Sequence, residues 1–281
     1  MAKEEWLKYD IRNVNFNIYV EENKGKIYAF QKGVKEAKYE YILTCDDDNW
    51  LNSNYITKAF ELMKFNPIAG VIGGYGIFNP EQPLNPEIEK YKSYYVNGPQ
   101  KWASTEHWVY GAGSICRRCV VIEHIAKGWP LITSGRVGKK LNGGEDVELC
   151  FIFYLNGYKI ISDDDLTFKH FVPLERQNTA YVLETSFWQS YTNVLLNSYY
   201  SIIQKNNTPL KTMLDKWLSG IGKSLIKQFA IKYYQKFFKL NNLSMDQNII
   251  FQSLQGTAFA LIKDRRRIID HHERIKKILS N

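Results

Sequence analysis

The amino-acid sequence predicts an α/β fold followed by a helical region. Strand-like and helix-like hydrophobic patterns alternate from residue 14 to about residue 176, which is typical of a sheet flanked by helices. Beyond Gln177 the pattern changes, because glycine is nearly absent until Gly220 and apolar residues recur at helical spacing. We therefore predict one domain over residues 1–178 and a helical region over residues 179–281.

The α/β part is predicted element by element from hydrophobic periodicity and turn residues. Four prolines between residues 79 and 100 interrupt regular structure, so a long loop with one helical turn is expected there. In chain order we predict a strand at 14–21, a helix holding Ile27 to Ala37, a strand at 39–45, a helix holding Ile56 to Met63, a strand at 70–75, a strand at 109–117, a helix at 120–127, a basic loop at 131–141, an acid-opened helix ending at Gly157, a strand at 158–161 and an alternating segment at 167–171.

Composition limits the class of protein. A chain of 281 residues with 44% hydrophobic and 23% charged residues forms a sizeable core and is not disordered. Its net charge of +8 favours anionic partners, whether nucleic acid, anionic lipid or a phosphorylated ligand. Four cysteines do not form a secreted disulfide framework, and neither a signal peptide nor a bilayer-spanning stretch is evident. We expect a cytoplasmic protein, at most peripheral on the inner face of a membrane.

Three adjacent acids, Asp46, Asp47 and Asp48, directly follow the predicted strand at 39–45. Ligands in open α/β sheets bind at the carboxyl ends of strands, where loops and helix N-termini converge. Hard oxygen ligands at positions i and i+2 suit one Mg²⁺ or Mn²⁺ ion that also binds phosphate oxygens. The alternative interpretation is a polar turn that caps a strand.

A second acid cluster opens the helix that starts about a hundred residues later. Glu145 and Asp146 follow Gly143 and Gly144 and lie in the first turn, where the helix dipole stabilises ionised carboxylates. Such a carboxylate suits a general base, and the glycines would let a substrate approach the backbone closely. The alternative is a pair of acids that only offset the dipole. His170, further along, is either a packed residue or a third metal ligand.

These motifs together resemble those of family-2 glycosyltransferases of the GT-A fold. The resemblance covers residues 14 to 176 and depends on the order and spacing of several segments. They are Asn23-Lys24-Gly25 with Gln31-Lys32-Gly33, the strand Tyr41 to Asp48, Gly111-Ala112-Gly113 with Arg117, and Gly144 to Cys150 continuing to Gly157-Tyr158. The resemblance implies a mixed, Rossmann-like sheet flanked by helices, and an enzyme of bacterial surface-polysaccharide synthesis.

The resemblance also implies roles for individual residues. Asp48, Asp46 and His170 would hold Mg²⁺ or Mn²⁺, and Asp146 would be the base of an inverting transfer. The nucleotide-diphosphate sugar donor and the acceptor, a glycan or a lipid-linked sugar, would meet further residues. On the donor side these are Asp46, Asp47, Lys24, Arg136 and Arg176, and on the acceptor side Gly144, Glu145 and Trp108.

One departure from the family pattern leaves alternatives open. Family members begin with a strand, a helix and a second strand, which the short polar segment Met1 to Asn13 is not expected to supply. The chain is therefore predicted to be an active enzyme with an incomplete N-terminal part, an enzyme whose nucleotide pocket is completed by another polypeptide, or a catalytically silent remnant that binds nucleotide or glycan. A nucleic-acid-binding or metal-nuclease protein is a further alternative, although no specific nucleic-acid partner is expected.

Lysines accumulate in the helical region, among apolar residues at steps of four. Trp217, Ile221, Leu225, Phe229, Tyr233 and Phe237 are predicted to share one helix face, with Lys223, Lys227, Lys232, Lys236 and Lys239 among them. One interpretation is a helix packed on its own domain. The other is a helix whose basic flank contacts an anionic membrane.

Overall fold

The computed structural model describes Glu4 and residues 6–8, 14–136, 141–237 and 243–280, while Lys239 lies outside them. Strands and helices are interspersed up to Val172, and every regular element beyond it in the described chain is helical. The strands are β1 (Tyr41–Leu43), β2 (Asn49–Leu51), β3 (Ala69–Pro80), β4 (Ile115–Arg117) and β5 (Lys159–Val172). The helices are α1 (Lys26–Glu36), α2 (Tyr55–Phe65), α3 (Pro86–Glu89), α4 (Ala103–Glu106), α5 (Arg118–Ala126), α6 (Glu145–Leu155), α7 (Thr179–Leu195), α8 (Asn197–Ile203), α9 (Leu210–Phe237), α10 (Met245–Lys263) and α11 (Arg265–Ser280), with short 3₁₀ turns at Lys92–Tyr94 and Leu174–Arg176.

The five strands form one mixed sheet in the order β1-β4-β3-β5-β2. Only β3 and β5 pair in parallel, and the other neighbours are antiparallel. The predicted mixed α/β sheet with flanking helices is therefore confirmed, as is the helical character of the region from Thr179 onward. The division into two domains at residue 178 stays a prediction.

The predicted strand at 14–21 is wrong. This segment forms no strand, and Val14, Ile18 and Val20 are more than half exposed. Its alternating pattern suits a half-buried strand, but an isolated strand is unstable without a partner, and it pairs with none in the described sheet. The first element after it is α1, so the predicted strand-helix-strand unit is reduced to α1 and β1.

Other strands differ from prediction in length. The two segments predicted at 158–161 and 167–171 form one strand, β5, because register shifts against β3 accommodate the polar residues between them. In the segment predicted at 109–117, only β4 forms. The predicted long loop at 79–100 is confirmed, with helical turns at α3 and at Lys92–Tyr94.

The buried side chains join the sheet to the helical region. One hydrophobic cluster contains Phe151 and Ile152 of α6 together with Tyr199, Leu261 and Ile275 of the later helices. A second cluster lies between the sheet and helices α1, α5 and α6. Helix α6, which carries the second acid cluster, is therefore packed on both sides. Of the helices in the described ranges, none is long and apolar enough to cross a lipid bilayer.

Gln100 anchors the long loop beneath the sheet. Its side chain is fully buried, donates to the Gly74 carbonyl at 2.8 Å and accepts from the Tyr110 amide at 2.8 Å. The loop is thus fixed at both β3 and the segment that leads to Gly111. This fixed end presents Tyr95 and Val96 to the candidate site described next.

Candidate active site

Asp48 and His170 lie side by side because of strand pairing. Strand β2 pairs antiparallel with β5 so that Asn49 stands opposite His170, and the Phe171 amide donates to the Asp48 carbonyl at 2.8 Å. His170 Nε2 lies 3.7 Å from Asp48 Oδ2. Arg176, in the 3₁₀ turn after β5, places its Nη1 atom 3.1 Å from the same oxygen.

The long loop holds both partners of Asp48. His170 Nδ1 lies 3.0 Å from the Val96 carbonyl, and the Tyr95 hydroxyl donates to the Arg176 carbonyl at 2.7 Å. With Nδ1–H directed to Val96, Nε2 faces Asp48 as a proton donor in the charged ring and as a lone pair in the neutral ring. The neighbouring His170 first, and then Arg176, hold the pKa of Asp48 below its usual range, although burial acts in the opposite direction.

Asp46 faces a different cation. Lys26, the first residue of α1, places Nζ 2.7 Å from Asp46 Oδ1. Burial opposes the charge on Lys26, but Asp46, Glu145 and Asp146 outweigh burial and raise the pKa of the ammonium group. Lys26 therefore stays charged and joins acids from both sequence clusters.

Asp146 is held by backbone amides. Its Oδ2 accepts from the Gly111 amide at 2.8 Å, and its Oδ1 accepts from the Val147 amide at 2.9 Å. Gly111 approaches so closely that an added Cβ would lie 3.1 Å from the Cβ of Asp146. A cleft lies at this point, lined by Lys26, Thr44, Gly111, Ser114, Glu145 and Asp146 with apolar residues behind them.

Backbone conformation and packing explain why position 144 is a glycine. Its φ is +94°, in the left-handed region, and a Cβ at this position would overlap Thr192 Cγ2 of α7. A helix of the C-terminal region therefore fills the space that a side chain at position 144 would need, while the expectation that Gly143-Gly144 lets a substrate approach the backbone stays a prediction. Gly144 lies beside Glu145 and Asp146 because it directly precedes them in the sequence.

Burial and neighbouring charges change the pKa of the Glu145 carboxyl group. Its Oε2 atom is buried and has no hydrogen-bond partner within the described ranges. Burial first, and then the neighbouring Asp146, raise the pKa of Glu145 from 4.5 to about 7, although Lys26 and Arg136 act in the opposite direction. The group is thus close to half-protonated near neutral pH.

This pKa predicts a pH dependence of stability. The carboxyl group of Glu145 has a higher pKa in the folded chain than in the unfolded chain, so the unfolded chain loses this proton at a lower pH. Folding stability therefore falls as pH rises from about 4.5 to about 7. Glu145→Gln should remove this part of the decline, measured as the free energy of urea unfolding at several pH values. A Glu184→Gln variant, at an exposed position on α7, serves as control. An unchanged decline in Glu145→Gln would contradict the assignment.

The remaining predicted residues are less closely tied to the site. Asp47 and Lys24 are exposed, and in this structure Lys26 rather than Lys24 contacts the acid turn. Arg136 is also exposed but acts electrostatically on Glu145. Trp108 is half-buried, with its ring 5.2 Å from that of Trp102. Their roles stay predictions.

A divalent cation fits part of the predicted ligand set. Asp48 and the Nε2 atom of His170 present a carboxylate and an imidazole lone pair to one point, which is a donor pair that Mn²⁺ accepts. The Nδ1 contact with the Val96 carbonyl is the kind of outer contact that orients metal-binding histidines. Asp46 is directed to Lys26 instead, and no group of three His, Cys, Asp or Glu residues in the described ranges forms a ready metal cluster.

Sequence reasoning missed two important residues, Lys26 and Glu148. A positive charge at the N-terminus of a helix interacts unfavourably with the helix dipole. Lys26 as the first helical residue therefore indicates that an acidic partner lies nearby. Glu148 is 1% exposed and accepts from the Ile132 and Thr133 amides, each at 2.8 Å, and from the Tyr199 hydroxyl at 2.8 Å. Nothing in the sequence near Glu148 indicates partners this distant along the chain.

Comparison with known proteins supports a glycosyltransferase. Residues 4–125 match the family model described as Glycosyl transferase family 2. The predicted resemblance to family-2 glycosyltransferases is thus confirmed.

Curated proteins match this chain at low sequence identity. The poly-beta-1,6-N-acetyl-D-glucosamine synthases of Staphylococcus aureus strains COL and MRSA252 are each 22% identical over 221 residues, covering 76% of this chain and 51% of the relative. The chain therefore spans about half the length of the curated relatives it matches. Among solved structures, the mannosyltransferase PcManGT from Pyrobaculum calidifontis, in complex with GDP-Man and Mn²⁺, gives a TM-score of 0.46 at 12% identity, covering 97% of this chain and 59% of that one.

Proposed function

We propose that this chain is a metal-dependent, inverting glycosyltransferase of surface-polysaccharide synthesis. It would move a sugar from a nucleotide-diphosphate donor to a hydroxyl group of a glycan or glycolipid acceptor. The observation that carries the proposal is that Lys26 pairs with Asp46 of the first acid cluster and lines one cleft together with Glu145 and Asp146 of the second. Two motifs about a hundred residues apart thus share one site.

The donor side of the site is assigned to the turn after β1. Asp48 and His170 would hold the divalent cation, which neutralises diphosphate charge when it is bound. Arg176, 3.1 Å from Asp48, is placed to bind a diphosphate oxygen as negative charge develops on the leaving group. Lys26 supplies a second positive charge beside Asp46.

The acceptor side is assigned to Asp146. Two amides fix the carboxylate, and each oxygen retains a lone pair that can accept the proton of an acceptor hydroxyl. The hydroxyl oxygen then forms a bond to the anomeric carbon while the bond from that carbon to the diphosphate breaks. Attack opposite the leaving group inverts the anomeric configuration.

The relatives support a polysaccharide product. The matched Staphylococcus aureus proteins are named as synthases of a poly-N-acetylglucosamine, which is a glycan built by repeated sugar transfer. We extend only the class of acceptor, a growing glycan or its lipid-linked precursor, to this chain. The donor sugar and its nucleotide base are left to experiment.

Nucleotide binding tests the donor side directly. Isothermal titration of the protein with uridine and guanosine diphosphates should show binding of at least one that strengthens with Mn²⁺. Asp48→Asn should remove this Mn²⁺-dependent gain, because the carboxylate is the only anionic ligand paired with His170 in the described structure.

The control for this titration is Asp164→Asn. Asp164 is exposed on β5 and undergoes the same chemical change, so this variant should bind like the parent. If Asp48→Asn keeps the full Mn²⁺-dependent gain, the assignment of Asp48 to the metal is wrong.

A further inference from the structure

Helix α9 has an apolar stripe that faces solvent in its second half. Ile226, Phe229 and Tyr233 follow each other at steps of three and four and therefore share one face of the helix. Their exposed fractions are 71%, 53% and 73%, so Phe229 stays more than half exposed although the edge of one ring meets the other in its contact with Phe251 of α10, at 5.0 Å between centroids. Side chains of this size are rarely left together in water on one helix face without a partner.

The packed face of α9 is a different one. Leu214 is buried, and Trp217 and Ile221 pack against the cluster that contains Tyr199. The predicted common face from Trp217 to Phe237 is therefore wrong. Each step of four residues overshoots a full helical turn by about 40°, so five such steps rotate the row to nearly the opposite side of the helix.

Positive charge borders the apolar stripe. Lys223 and Lys227 lie on one side of it and Lys232 on the other in helical projection, and all three are exposed. The sequence contains no Asp or Glu from Lys216 to Met245. The stripe thus combines aliphatic and aromatic side chains with a purely cationic border.

We propose that this stripe lies on an anionic lipid bilayer surface, with α9 parallel to the membrane plane. Ile226, Phe229 and Tyr233 would enter the boundary between headgroups and acyl chains, while the lysine ammonium groups bind lipid phosphates. The proposal depends on the charge and exposure of α9 and not on the proposed activity. It places an enzyme with no membrane-crossing helix in its described ranges at a lipid surface.

Other occupants fit the stripe less well. A second copy of the chain would bring two cationic borders together with no acid in the segment to neutralise them. A nucleic acid would satisfy the lysines but would leave the alkyl side chain of Ile226 without an apolar partner. An anionic bilayer satisfies both parts of the surface.

Vesicle co-sedimentation tests the proposal. The protein should sediment with vesicles that contain phosphatidylglycerol, bind weakly to pure phosphatidylcholine and be released by added salt. Lys223→Gln with Lys227→Gln should weaken partitioning about fivefold for each lysine, on the order of 25-fold together. Ile226→Ser with Tyr233→Ser should also weaken it. The control variant, Lys35→Gln with Lys38→Gln, removes two exposed lysines near α1 and should bind like the parent.

Circular dichroism and urea unfolding of each variant show whether α9 remains folded. Binding that is equal for both lipids, or no binding by the folded parent, would overturn the proposal. A dimer in sedimentation velocity that Ile226→Ser with Tyr233→Ser dissociates would overturn it in favour of a second copy.

Discussion

Asp146→Asn is expected to remove sugar transfer while leaving donor binding nearly unchanged. The carboxylate is the assigned base, and general-base catalysis typically contributes ~10²–10⁴-fold to the rate. The amide of Asn still accepts a hydrogen bond from the Gly111 or Val147 amide, so the local backbone should be retained. The rate of nucleoside diphosphate release in the presence of acceptor, and the dissociation constant of the donor, are the two quantities to measure.

The control is Asp270→Asn, an exposed acid on α11 that should leave both quantities unchanged. A loss of donor affinity as large as the loss of rate would place Asp146 on the donor side. A rate within threefold of the parent would exclude Asp146 as the base, because general-base catalysis contributes at least about a hundredfold.

Glu148→Ala is expected to have the largest effect on stability. The substitution leaves the buried Ile132 and Thr133 amides and the Tyr199 hydroxyl without their acceptor. It also leaves a cavity where the side chain of Glu148 stood. Each buried donor that loses its acceptor costs about 1–3 kcal/mol, so the three together are expected to cost about 3–5 kcal/mol, in the lower part of the summed range because the buried carboxylate is removed as well. The free energy of unfolding in urea should fall by this amount.

Loss of Glu148 should also affect catalysis at a distance. Its partners lie in the segment that leads to Gly135 and Arg136, and α6 carries Asp146 only two residues before Glu148. The control is Glu184→Ala on α7, an exposed acid whose loss should change stability by less than about 0.5 kcal/mol. If Glu148→Ala is as stable as that control, the buried network does not stabilise the helical region against the sheet.

Helices were predicted more accurately than strands for a physical reason. Helices α1, α2 and α6 form from local contacts, so periodicity and flanking glycine or asparagine place them within a few residues. A strand also needs a neighbour, and sequence pattern does not show whether one exists. The segment at 14–21 has the pattern without a neighbour, whereas β2, Asn49–Leu51, forms because β5 lies beside it.

Only part of the candidate site can be predicted from the sequence, because the site also depends on which strands pair and which helices pack together. Asp48 and His170 were proposed together from the family resemblance, and the structure brings them to 3.7 Å through pairing of β2 with β5. Lys24 was proposed on the donor side, but the helix starts so that Lys26 contacts Asp46. The role of Gly144 depends on Thr192, which packs against it from a region with no recognised motif.

In the function proposed for this chain, the two acid clusters form one site for inverting sugar transfer. The most direct test is proton NMR of the anomeric position of the product, made by the parent protein from a nucleotide-diphosphate α-sugar with Mn²⁺. We expect a β-linked product, since the acceptor hydroxyl bound at Asp146 attacks opposite the diphosphate. A product that retains the α configuration would contradict it.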